Sequence, residues 1–472
     1  MIDRQSVRDN AKYLRNVRPV DPAEIAEYVT DQPHPAVVRQ VLREEAFDLG
    51  LFECEDGTFV PAAEGTVSPP GWSPTAFPER YASALEDLLV ERFGANWHTG
   101  ESGDTLRAAI RRLKTDYYYE NPVEYDETAA LGYAVYHLPD YYAAVGYVLD
   151  DLTARGLLTY PLRVLDVGAG VGGPALGLHD YLPGEALVDY HAVEPSAAAT
   201  VLDRMLDETR RNVRTTVHEE TAEAHDPDGA FDLVLFANVL SELDDPVSVV
   251  DRYLDALADD GSVVALAPAD LNTSTGLREV ERAVADRNRG EDGRDREVTV
   301  YSPTLRLWPG ESPSDRCWSF DVRPEIEAPP CQRRLDEAGD DPGTFLNETV
   351  QFSHVVLRLD GTRRFDVEAD PERSARMAAM ERHVTNRVDL LAVKSSHDLS
   401  DGDNAVYKVS DGSERVEHYA VLTRESSLNG DLRRAPYGSV LRFENALVLW
   451  NDDEGAYNLV VDGETVVDVV AA

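Results

Sequence analysis

The chain has 472 residues, 43% of them hydrophobic, so it is too long for a single core and rich enough to fill several. Its 88 acidic residues outnumber 45 basic ones for a formal charge of −43, and four lysines stand beside 41 arginines. Acidity spread along the whole chain suits molar salt, where the Debye length falls to ~3 Å and self-repulsion is screened, so a halophilic, archaeal-type cytoplasm is the expected setting.

No apolar run approaches the ~18 residues of a membrane helix, and the start Met1-Ile-Asp-Arg-Gln-Ser6 lacks a signal-peptide layout. Three cysteines, Cys54, Cys317 and Cys331, cannot build a disulfide framework, which fits a reducing, cytoplasmic interior. Such an acidic surface masks the basic footprint of a nucleic-acid binder, so missing positive charge does not exclude that class.

Residues 1–70 are predicted to form a winged-helix-like domain. Val7–Val17 suggests one helix, and Asp21 caps a second with Pro22 at its first position. Pro35 opens a third, with Val37, Val38, Val41, Leu42 and Phe47 near helical spacing, and Phe52–Val60 turns at Asp56-Gly57 as the wing. The third helix carries Arg39 and Arg43 beside Glu44 and Glu45, so nucleic-acid contact, protein docking and scaffolding all stay open. A proline-rich linker, Val67–Pro74, leads into a helical region over 75–160. There Thr105–Lys114 is a basic helix, making Arg107, Arg111, Arg112 and Lys114 candidate nucleic-acid contacts. Tyrosines follow in Tyr117-Tyr-Tyr-Glu120 and Tyr133–Ala144. Packing on a sheet is their favoured role, ahead of stacking on unpaired bases.

Residues 161–270 hold the most informative segment, Leu162–Gly173. An apolar strand ends at Asp166 and runs into Gly168, Ala169, Gly170 and Gly172, with a helix starting near Pro174. A doubly wound α/β sheet binds a nucleotide-like ligand at such a turn. The next strand, Ala186–Pro195, ends in Glu194 and Pro195, where a carboxylate can hold both ribose hydroxyls. The spacing D-x-G-x-G-x-G differs from the dinucleotide fingerprint, and Asp166 would repel a pyrophosphate. Further strands are read at Asn212–Glu220, Phe231–Leu243 and Asp260–Pro268, alternating with helices as a parallel sheet requires.

Residues 271–383 form an extension: a charged helix and loop over Asn272–Arg296, then strand-like segments at Val298–Trp308 and Thr349–Gly361. Residues 384–472 alternate in short strands split by Asp401-Gly402, Asp411-Gly412, Asn429-Gly430 and Asp462-Gly463. That pattern predicts a small OB-like β-barrel stabilised by Trp450 and Tyr457.

The glycine turn resembles the first motif of class I S-adenosyl-L-methionine (SAM)-dependent methyltransferases. The resemblance implies a Rossmann-like core binding SAM through Asp166, Gly168, Ala169, Gly170, Gly172, Glu194 and Pro195. It places Asp166 toward the ligand's amino-acid end, Glu220 near adenine and Asn238 where substrate meets the methyl group. More specifically, Tyr136–Ala143, Leu165–Gly170, Asn238–Leu243, Tyr301-Ser-Pro303, Cys317-Trp-Ser-Phe320 and Phe352–Arg358 resemble the methyltransferase-like family associated with the small ribosomal subunit. Mitochondrial members of that family act in ribosome assembly. The likeness covers roughly 105–360 and implies the small subunit or its rRNA as partner. Family members commonly carry cysteines arranged like an iron–sulfur site. Here Thr304 stands where one is expected, and a cluster normally takes four thiolates, so no metal is expected.

No catalytic residue is readable. Ala237-Asn-Val-Leu240 lacks the Asn/Asp-Pro-Pro-aromatic clamp of base-amino methyltransferases, and no cysteine pair sits there. Three readings follow: an rRNA methyltransferase, a non-catalytic small-subunit assembly factor with a retained or vestigial SAM pocket, and a small-molecule or protein methyltransferase.

Overall fold

A computed structural model describes residues 2–119, 121–287 and 297–472; Glu120 and the last residues of the charged segment, 288–296, lie outside the described residues. The chain divides into two compact units, the first comprising Met1–Ala237, Ala256–Gly261 and Pro324–Val350, the second the remainder. None of the described helices is long and apolar enough to cross a membrane.

The first unit begins with α1 (Arg4–Leu14), α2 (Pro22–Tyr28), α3 (Pro35–Glu44), the short α4 (Ala46–Leu49) and the hairpin β1 (Leu51–Glu53) with β2 (Phe59–Pro61). Asp3 and Asp21 accept from backbone N–H groups of the first turns of α1 and α2, and prolines open α2 and α3. Val7, Leu14, Ile25, Val38, Leu42, Leu51 and Phe59 close a small core. Three helices, a single-turn fourth and a hairpin thus follow one another in this segment. Arg39 and Arg43 do not project as a phosphate grip: both bind the buried Glu53 of the wing, Nε to carboxylate oxygen at 2.6 Å each. Glu53 in turn exchanges two hydrogen bonds with Asn212, N–H to Oδ1 at 2.8 Å and Nδ2 to carbonyl at 3.1 Å.

After β3 (Gly65–Thr66) come α5 (Glu79–Phe93), α6 (Gly100–Tyr118) and α7 (Glu127–Thr153), then β4 (Thr159–Tyr160), which pairs with β3. The proline-rich linker is tied down, because Trp72 donates to the Ala143 carbonyl at 2.8 Å and fills the space left by Gly146. α7 is buried on nearly every side, as expected of an apolar helix without a polar face.

The sheet of this unit contains β5 (Leu162–Val167), β6 (Val188–Val193), β7 (Val213–His218) and β8 (Phe231–Ala237). Its order is β8-β5-β6-β7, all parallel. α8 (Gly173–Tyr181) and α9 (Ala198–Leu206) supply the crossovers. Successive strands run one way from β5 to β7, whereas β8 returns to the other side of β5. The carboxyl end of β5 is therefore a topological switch point, where α/β sheets bind ligands. α8 lies hard against α7: a Cβ on Gly177 would sit 2.3 Å from the Tyr142 carbonyl oxygen.

The second unit contains α10 (Pro246–Tyr253), most of β9 (Leu257–Pro268), α11 (Leu271–Arg287), β10 (Thr299–Ser302) and β11 (Asp321–Arg323). The chain then returns α12 (Pro330–Glu337) to the first unit before β12 (Val350–Arg358) pairs antiparallel with both β9 and β10. A closed barrel follows: β13 (Arg387–Lys394), β14 (Ala405–Ser410), β15 (His418–Leu422), the one-turn α13 (Asp431–Arg434), β16 (Val440–Asn451), β17 (Ala456–Val461) and the added β18 (Val466–Ala471). Its order, β13-β14-β15-β17-β16 with β16 closing onto β13 and β15 parallel to β17, is the five-stranded OB arrangement. Leu390, Tyr407, Val409, Leu441, Phe443, Val448 and Leu459 fill it. Trp450 does not stabilise the core as expected. It lies 40% exposed near the end of β16, where its indole N–H donates to Asp452 at 2.9 Å and its ring meets that of Tyr457 edge-on.

Candidate cofactor site

The segment after β5 folds as a tight turn. Gly168, Gly170 and Gly172 have φ of 69°, 55° and 93°, values that a side chain disfavours. Both Gly168 and Ala169 donate to the Val193 carbonyl, at 2.8 and 3.2 Å, which fastens the turn to the end of β6. No atom lies within 4 Å of a Cβ built on Gly170, so that face of the turn opens onto space. At Gly172 a Cβ would strike Leu202 of α9 at 2.8 Å.

Glu194 is buried and locks this geometry. One oxygen accepts from the Gly170 N–H at 2.9 Å, and the other accepts from Ser196 through its N–H, at 2.9 Å, and its hydroxyl. Pro195, exposed beside it, offers no N–H. The carboxylate thus stands at the carboxyl end of β6 beside the open face of the turn, where ribose hydroxyls would reach it.

The resemblance places Asp166 toward the ligand's amino-acid end. It is fully buried. One oxygen accepts from the Tyr190 hydroxyl, and the other has no hydrogen-bond partner among the described residues. Burial raises its pKa to about 7, with the neighbouring Glu194 adding to the rise and the Tyr190 hydrogen bond opposing it. His179 of α8 packs its ring against Tyr190 at 5.1 Å, and burial pushes its pKa down to about 3, which keeps it neutral. A buried carboxylate with a spare oxygen and no cation paired to it among the described residues favours a positively charged ligand and rejects a pyrophosphate. The open face at Gly170 and the anchored Glu194 suit a ribose-bearing molecule. These residues fit SAM.

Glu220 lies just beyond β7, half exposed, with its carboxylate 3.1 Å from His225 Nδ1. Asn238 belongs to the second unit, where it adopts φ 62° and donates its N–H to the Leu266 carbonyl at 2.9 Å. Tyr190, Ser196 and His179 were not anticipated. Strand alternation could have supplied Tyr190, because Asp166 pairs with Ala192 and places Tyr190 on the same face.

The basic helix is put to a different use from the one expected. Arg107 is 4% exposed and donates to the His98 and Leu335 carbonyls, at 3.0 and 3.1 Å, and to Asp104, so it is unavailable to phosphate. Lys114 donates to the Thr344 carbonyl at 2.9 Å and lies over the Tyr136 ring. Arg111 and Arg112 are half exposed and face Asp341 and Asp126 at 3.8 and 3.5 Å. In the second unit Asp315, Cys317 and Glu414 bring three ligand-type atoms together. Asp315, however, is already neutralised by Lys408 and Arg282, each at 2.9 Å.

Residues 165–263 match the family described as a methyltransferase domain. With the Rossmann-like topology and the turn geometry, this match makes the protein a class I SAM-dependent methyltransferase-like protein whose cofactor is SAM. Residues 4–55 and 378–470 match the N-terminal and C-terminal domains of a domain of unknown function, DUF8157. Over 120 residues the chain is 29% identical to the human ribosome assembly protein METTL17, mitochondrial, a match covering 25% of this chain and 26% of that protein. Among solved structures, the plantazolicin methyltransferase BpumL with SAH is 12% identical, over 59% of this chain and 98% of that chain, with a TM-score of 0.29. The N-methyltransferase NodS from Bradyrhizobium japonicum WM9 with SAH is 13% identical, over 46% and 85%, with a TM-score of 0.28.

Proposed function

We propose that this protein transfers a methyl group from SAM to the rRNA of the small ribosomal subunit, in a cytoplasm kept at high salt. One observation carries the choice of partner: the likeness to METTL17, a ribosome assembly protein, in a chain that has a SAM-type site. The winged-helix and OB-like modules support it by fold-level analogy only.

SAM supplies an electrophilic methyl group on a positively charged sulfur. The chain's own residues bind and orient. Glu194 holds the turn and offers its remaining lone pairs to the ribose, while Asp166 places negative charge behind the turn. In-line alignment supplies most of what such a transfer needs. A second reading, an assembly factor that no longer transfers methyl, draws on the same likeness to a ribosome assembly protein.

Mass-spectrometric mapping of small-subunit rRNA methylation with and without the gene separates the two. A missing methyl group identifies the acceptor atom. An intact map together with immature subunits would reject transfer in favour of assembly. Isothermal titration with SAM tests the shared premise, which fails if wild type does not bind.

A further inference from the structure

The motif Tyr136–Ala143 has no part in cofactor binding as described above, yet it packs on the turn. A Cβ on Gly173, the first residue of α8, would lie 3.0 Å from Tyr141 Cβ and 3.3 Å from the Leu138 carbonyl oxygen of α7. Tyr141 stacks on His137 at 4.9 Å and 5°. His137 Nδ1 lies 3.2 Å from one carboxylate oxygen of Asp140, one helical turn on, and the other oxygen of that buried residue has no partner among the described residues.

We propose that His137 and Asp140 form a general-base dyad for the methyl acceptor, which rests on the reading of the protein as a methyltransferase. A carboxylate only accepts, so the contact places the imidazole proton on Nδ1 and the lone pair on Nε2. The side chain of His137 is 24% exposed, and Nε2 is the ring nitrogen that Asp140 does not engage. Around the ring stand Tyr133, Tyr136 and Tyr141 of α7; Lys114 of α6 lies over Tyr136, and the Asn347 amide is 3.5 Å from Nδ1 while it donates to the Tyr136 carbonyl at 3.1 Å. Asp140 is the acidic group of that shell.

In the transfer, the acceptor's electron pair takes the methyl carbon, the sulfur keeps the carbon–sulfur pair, and the acceptor's proton passes to Nε2. An exocyclic amine needs no such base. The dyad therefore points to a ring N–H or a hydroxyl of an RNA as acceptor, with His137 as the catalytic residue and Asp140 as its positioning residue.

The test uses full-length protein, tritiated SAM and small-subunit precursors from cells lacking the gene. His137→Gln and Asp140→Asn should bind SAM within about twofold of wild type and transfer roughly a hundredfold more slowly or worse. His137→Gln should change the shape of the pH profile of the transfer rate, which a merely structural role would leave unmoved. Nitrogen-15 histidine spectra should show His137 as the Nδ1–H tautomer, shifting in Asp140→Asn. Transfer by His137→Gln at the wild-type rate, or an Nε2–H tautomer, would overturn the dyad and leave the methyltransferase reading standing. Absence of transfer by wild type would remove both.

Discussion

Two buried aspartates, one in each unit, are treated in opposite ways. Asp315 meets Lys408 and Arg282 at 2.9 Å, and although burial opposes its charge, those cations hold its pKa below the ordinary carboxylate value. Asp166 has a phenol, a neutral histidine nearby and, among the described residues, no paired cation, and burial raises it to about 7. Removing a carboxylate from water costs several kcal/mol unless a partner offsets it. The paired aspartate is architecture. The other keeps one oxygen without a hydrogen-bond partner among the described residues, as suits a site for a cationic ligand such as SAM.

The comparison breaks most readily at the compensated end. Lys408→Met leaves Asp315 with Arg282 alone and takes the ammonium from Glu417, partners it meets at 2.9 and 3.1 Å, and should cost about 3 kcal/mol in denaturant melts. A loss below ~1 kcal/mol would mean that the pair is not the buried couple the geometry describes.

Asp166→Asn should act in the other direction. Unfolded, this carboxyl ionises near ~3.9; folded, it does so near about 7. Its contribution to folded-state stability is therefore complete below ~4 and lost as pH rises through 7. At pH 8 the ligand-free variant should be more stable than wild type by about 2 kcal/mol or more, with the difference gone near pH 4. SAM affinity should meanwhile fall roughly tenfold. Equal melting temperatures at both pH values would count against a buried, uncompensated charge.

Tyr190→Phe removes the hydrogen bond to Asp166 and should cost about 1 kcal/mol. The pH at which SAM binding reaches half its maximum should move upward, a change that simple loss of packing would not produce. As a solvent-screened reference, Arg387→Ala breaks an exposed pair with Asp462, whose pKa the arginine holds down to about 2, and should cost ~0.5 kcal/mol or less. That small loss should shrink further in salt, whereas the Lys408 effect should persist.

Local rules made the elements legible. Capping aspartates, opening prolines and alternating apolar residues placed α1 to α3, the wing, β5 to β8 and the barrel strands. The glycine turn and Glu194 were readable because their geometry is set within a few residues. The roles of the arginines were not. Arg107 reads as part of a basic surface until Leu335, distant in the chain, proves to supply the carbonyl it binds. Trp450 failed for a related reason: composition marks a tryptophan as core, but its place near the end of β16 leaves it 40% exposed.

The lysines show the same division. Of the four, Lys394 and Lys408 are buried, and burial lowers the pKa of Lys394 to about 8. The scarcity of lysine is a property of the sequence; where the survivors sit is a property of the fold.

By itself, then, the sequence determined the order of elements, the SAM-type turn and the acidic surface, because backbone conformation and net charge depend on neighbouring residues and on composition. Only the tertiary structure decided which charges are spent on one another, that Asp166 is closed off behind Tyr190, and that α7 sets Tyr141, stacked on His137, against the first residue of α8. Pairing and desolvation depend on what surrounds a group in space, and for these residues the surroundings come from distant parts of the chain.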